Sequence, residues 1–148
     1  MEAKSLDEVI MTDVHNNLNE PVDKYKKDHS QENYNNVLLK IFNDVDQTVI
    51  VPARLNKEKN GADLKSIYAE DNNAYFVFYT DKAFIDRDND ETFLIMTLKG
   101  VFDMILNSDV YNGVIIDPDL DIKDEKDFNQ CIILKEHVIT ILKRTDSQ

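Results

Sequence analysis

Along the chain, apolar residues recur with two different periods, and each change of period marks an element. The clearest helical run is Tyr34, Val37, Leu38, Ile41, Phe42 and Val45. Spacings of three and four place all six on one face, with Asn35, Asn36, Lys40 and Asn43 opposite. Leu98, Val101, Phe102, Ile105 and Leu106 repeat the pattern, with Gly100 weakening that helix by about 1 kcal/mol relative to alanine. Leu134, Val138, Ile141 and Leu142 do so again, and Lys143 and Arg144 stand near the C-terminal end, where cations are favoured. At the start, Ser5 and Glu8 have capping-box spacing, and Leu6, Val9, Ile10 and Val14 predict a short helix that ends before Pro21. Asn16 to Gln31 is polar and aperiodic and reads as a loop. The expected organisation is therefore an N-terminal helix and polar linker over 1–31, an appendage to a domain over 32–148.

The second period is that of strands. TVIVPAR, Thr48 to Arg54, is short and β-branched, and Pro52, which has no N–H to give a ladder, predicts an edge strand or a strand end. DLKSIYAE and AYFVFYTD flank Asp71-Asn72-Asn73 and predict a hairpin. Phe76 and Phe78 then share one face, with Tyr75, Val77 and Tyr79 on the other; a strand apolar on both sides belongs near a sheet centre. TFLIM follows the acidic loop IDRDNDE. GVIID is a buried strand stopped by Pro118, and Phe128 to Ile133 supplies a last short one. These elements predict an α+β domain with a mixed, largely antiparallel sheet of about five strands and three or four helices.

With 148 residues the chain fits one domain, burying roughly 68–70% of its unfolded surface. Seventeen Lys and Arg against 29 Asp and Glu leave a net charge of −12, whose field repels phosphate backbones and anionic membranes. A basic protein partner would be steered toward it. Cys131 is the single cysteine, which excludes an intramolecular disulfide and a thiolate zinc cluster within one chain. No apolar run reaches the ~18 residues of a membrane helix, and the acidic start is unlike a signal peptide, so a cytoplasmic location is expected.

Taken in order, TVIVPAR, DNNAYFVFYTD and GVIIDP followed by a terminal helix resemble the N-terminal domain of the SseB family, named for enhanced serine sensitivity. Val51-Pro52 matches that family's Val-Pro strand end. Phe78-Tyr79-Thr80 matches its Phe-Thr pair with a tyrosine inserted, and Asp117-Pro118 stands for its Asn-Pro. The resemblance spans about Asn33 to Arg144. It implies an α+β fold, a bacterial origin and a non-enzymatic, stress-linked or immunity-like role, and it supplies no catalytic motif.

The candidate chemistry is sparse. Asp117, Asp119 and Asp121 have the opening spacing of a calcium loop, but Ile122 holds the position that needs glycine and Phe128 the one that needs glutamate. The same test fails for Asp86, Asp88 and Asp90. A solvated loop is the first reading, and the alternative is a divalent-cation site on Asp117, Asp119 and Asp121, with Asp124 or Glu125, serving a cation-binding protein or a cation-dependent enzyme. His15, His29 and His137 have no zinc spacing, and Cys131 reads as a buried thiol. With Gly61, Gly100 and Gly113 the only glycines, no phosphate-binding loop can be written, and no cofactor is expected. Pro52, Arg54, Thr80, Asp81, Asp117 and Pro118 all follow apolar strands. If those turns gather at one rim, with Arg54 pairing Asp81 or Asp117, they form a recognition surface for another protein.

Overall fold

Two four-stranded sheets organise the chain in the computed structural model, which describes residues 4–56, 61–68, 73–86, 90, 92–118 and 130–146. The first sheet runs β1 (Lys4–Ser5), β6 (Thr92–Thr97), β2 (Thr48–Asn56) and β3 (Gly61–Leu64), antiparallel throughout. The second runs β4 (Ser66–Tyr68), β5 (Ala74–Phe78), β7 (Tyr111–Ile116) and β8 (Cys131–Leu134), in which β5 and β7 alone are parallel. One bridge joins them: Ile50 N–H donates to the Tyr79 carbonyl at 2.9 Å, and Tyr79 N–H to the Ile50 carbonyl at 2.8 Å. The fold is α+β, with two sheets in place of one and eight strands among the described residues in place of about five. The surplus comes from β1, two residues long, and from the run DLKSIYAE, expected as one strand but divided at Lys65 into β3 of the first sheet and β4 of the second.

Pro52 neither ends β2 nor puts it on an edge, because β2 lies between β6 and β3 and continues to Asn56. Ile50 turns its N–H and C=O toward Tyr79, and Pro52, two residues on, turns its carbonyl the same way to accept from Lys65 N–H at 3.0 Å. The N–H that proline lacks thus falls between the Tyr79 bridge and the start of β3 pairing at Ala53, where no ladder bond is demanded of it.

The alternation in β5 separates two cores. Phe76 and Phe78 enter a large one with Val49, Val51, Val114 and Ile116; Val77 and Tyr79 enter a smaller one with Val9, Ile50, Ile85 and Phe93. β5 is interior, as its two apolar faces require. Its antiparallel pairing with β4 is the expected one, while Asp71 and Asn72 of the predicted turn lie outside the described residues.

Five α-helices among the described residues cover the sheets: α1 (Leu6–Ile10), α2 (Asn19–Lys27), α3 (Gln31–Asn43), α4 (Leu98–Leu106) and α5 (Lys135–Asp146). The capping box at Ser5 is formed, Ser30 Oγ accepts from Asn33 N–H at 3.2 Å to start α3, and Thr97 Oγ1 accepts from Gly100 N–H at 3.1 Å to start α4. No helix among the described residues is long and apolar enough to cross a membrane.

Residues 4–31 are not an appendage with a linker. β1 pairs with β6, Val9 is fully buried in the smaller core, and Thr48 N–H donates to the His15 carbonyl at 2.9 Å. The stretch expected as a loop contains α2, with Leu18 and Val22 in the large core and Tyr25 packed against it. Pro21 misleads because it occupies the first turn of this helix, where backbone N–H groups have no intrahelical acceptor anyway, instead of terminating the one before.

Candidate functional site

Because β5 and β7 run parallel and in register from Phe76↔Val114 to Phe78↔Ile116, Thr80 and Asp117 leave the sheet side by side. Asp117 N–H donates to the Phe78 carbonyl at 3.0 Å, adding one rung, and then turns the chain through a positive φ of 51° into Pro118. Asp117 Oδ1 accepts from Thr80 N–H at 2.7 Å and Oδ2 from the Thr80 hydroxyl at 2.6 Å. Asp117 is 1% exposed, and burial pushes its carboxyl up to about 6. The two Thr80 hydrogen bonds and the Lys26 ammonium pull the other way, and Asp81 adds to the rise. Lys26, from α2, donates through Nζ to the Asp117 backbone carbonyl.

Asn16 closes the junction from the other side. Its Nδ2 donates to the carbonyls of Thr48 and Thr80, both at 2.9 Å, and its Oδ1 accepts from Leu18 N–H at 3.2 Å. One amide thereby ties β2, the end of β5 and the approach to α2. Asparagine suits the place because a single planar group carries two donors and an acceptor.

Of the six residues expected to form a recognition surface, Thr80 and Asp117 do meet, but as an internal clasp. Pro52 and Pro118 are buried with them. Asp81 is exposed and spent locally, accepting from Ala83 N–H at 2.9 Å to start the 3₁₀ turn Lys82–Phe84. Arg54 lies in β2 opposite Asp63, and its side chain, like the proposed pairing with Asp81 or Asp117, lies outside the described residues. The parallel ladder explains the burial: it delivers the Asp117 carboxylate to a neighbouring strand's N–H instead of to solvent. Asp119, Asp121, Asp124 and Glu125 also lie outside the described residues. Among the described residues, no group of three or more His, Cys, Asp and Glu side chains is placed to hold a metal ion.

The remaining candidates resolve into framework. The Cys131 thiol is buried and pushed up to about 12 by that burial, with the Asp117 charge adding and Lys26 opposing, so it stays protonated. His137 accepts or donates through Nδ1 to the Tyr34 hydroxyl, and Tyr34 is itself pushed up to about 12 by burial. The acidic loop before β6 is not wholly solvated: Asp90 is buried, accepting from the Tyr79 hydroxyl at 2.6 Å and from Lys65 Nζ at 2.9 Å.

A concave surface lies elsewhere, between α2 and α3, as a cleft of about 630 Å³. Five asparagines, Asn17, Asn19, Asn33, Asn36 and Asn43, line it. Lys24 on α2 and Lys40 on α3 add two cations against a single acid, Glu20. Leu39 is 55% exposed at the same cleft, with Pro21 the other apolar contributor. Gln47 braces the floor, donating through Nε2 to the Lys40 and Asp44 carbonyls and accepting from Asn17 N–H. The polar face of α3 was legible in the sequence; its partner wall was not, because Pro21 and the polar residues around it mask α2. Leu18, Val22 and Tyr25, at spacings of four and three, are the signal that finds it.

No protein-family profile, curated protein or solved structure matches this chain.

Proposed function

We propose that this chain is a non-catalytic protein-interaction module that receives its partner in the cleft between α2 and α3. The observation that carries the reading is the cleft itself: about 630 Å³, within the usual range of ligand sites, walled by amides and bordered by the exposed Leu39. Covering that leucine would add on the order of 1 kcal/mol of apolar burial, while the amides supply direction. The protonated thiol of Cys131 and the doubly hydrogen-bonded carboxylate of Asp117 support a framework role for the groups that chemistry would otherwise recruit. The resemblance to the SseB family supports the same division. Its motifs, Val51-Pro52, Phe78-Tyr79-Thr80 and Asp117-Pro118, lie where strands of the two sheets meet or end, and none of them is among the residues lining the cleft.

The test is affinity purification from the native cells with wild type and Leu39→Glu, with Met11→Glu as the control at another exposed apolar position. All three are expected to melt together, and Leu39→Glu alone to lose the partner. A partner retained by Leu39→Glu would overturn this reading.

A further inference from the structure

Resting on the docking reading above, we infer that the α2–α3 cleft takes an extended, acidic polypeptide segment. A side-chain amide presents a carbonyl acceptor and an N–H donor, the same pair that a peptide unit presents, so a wall of asparagines matches a backbone better than it matches any one side chain. Asn17, Asn19, Asn36 and Asn43 are exposed, and their side chains make no hydrogen bond among the described residues. An extended segment leaves its own N–H and C=O groups open to such partners, whereas a helix has already paired them. Among the described residues no aromatic ring lines the cleft, so none of them offers the stacking surface that a nucleobase would use.

Charge supplies the second half. Lys24 on α2 and Lys40 on α3 are exposed, and Glu20 is the one acid among the lining residues, so the lining carries a positive excess of one charge on a chain of net charge −12. Contact with a carboxylate is favourable there, against the sign of the whole molecule. At physiological ionic strength the screening length is about 8 Å, so the long-range repulsion fades while contacts inside the cleft persist.

The probe is a fluorescently labelled synthetic peptide alternating glutamate with threonine, compared with its lysine–threonine counterpart of equal length by anisotropy at physiological salt. The glutamate peptide is expected to bind. The double variant Lys24→Glu, Lys40→Glu, changed only at exposed positions and checked by thermal melting, should bind it roughly tenfold more weakly and turn the preference toward lysine. Equal affinity for the two peptides, or a glutamate peptide held as tightly by the double variant, overturns the acidic assignment and leaves docking in the cleft intact. Binding of neither peptide overturns the extended segment; the docking reading then stands or falls separately, on whether Leu39→Glu loses the captured partner.

Discussion

At Asp117 a carboxylate sits almost out of contact with water, and its two oxygens accept from the same threonine. Burial outweighs those bonds, so the folded protein holds this proton more tightly than the unfolded chain, about 6 against 3.8. The sign of the linkage follows. This group favours folding most below about pH 4, loses that contribution as pH rises toward 6, and is a net cost above it. Asp117→Asn removes the charge and keeps the shape: Oδ1 still accepts from Thr80 N–H, Nδ2 donates to the hydroxyl oxygen, and asparagine tolerates a positive φ. Urea unfolding across pH 4 to 8 is expected to show the asparagine variant more stable at neutral pH by about 1–3 kcal/mol, with a shallower pH dependence. An unchanged slope between pH 4 and 6 would mean that another group sets it.

Gly113 shows how a single residue sets the spacing of an element. A Cβ there would lie 2.2 Å from the Ile133 carbonyl oxygen and 3.1 Å from Leu134 Cα, both backbone atoms of β8. The strand cannot yield to a rotamer change, so Gly113→Ala must push β8 from β7 and disturb the pairing that places Cys131 and Ile133 in the core. It is expected to lower the unfolding free energy by at least about 2 kcal/mol, read from the shift in denaturation midpoint. Which elements were legible follows from the same local physics. α3, α4, α5 and β5 to β7 carry sustained apolar periods, and these identify their type. The junction at Asp117 was half legible: Asp-Pro after an apolar run announced a strand end, but burial depends on β5 lying parallel to β7, a pairing between residues far apart in sequence. The role of Asn16 carried no signal, since its amide reaches the Thr48 and Thr80 carbonyls only after both sheets have formed, and its one local bond, from Leu18 N–H, marks no more than a turn. The cleft was missed because Pro21 hid α2.

Two hydrophobic cores on opposite faces make the molecule depend on its first residues more than their polar character suggests. The smaller core has Ile50, Val77, Tyr79 and Phe93 rising from the sheets, and Val9 from α1 lies over them with no exposed surface. The Lys82 ammonium donates to the Ile10 carbonyl and fastens the following turn to the same helix. Without this cover, four large apolar side chains would face water, each costing about 1.5–3 kcal/mol if fully exposed. A typical domain is stable by only 5–15 kcal/mol, so the loss is comparable to the whole margin. Deleting the first 15 residues is therefore expected to give a chain that binds a hydrophobic dye and unfolds at much lower urea. Val9→Ala, which thins the cover without removing it, should cost about 1–3 kcal/mol. A true appendage would predict the opposite: a truncated protein with the same midpoint and no dye binding.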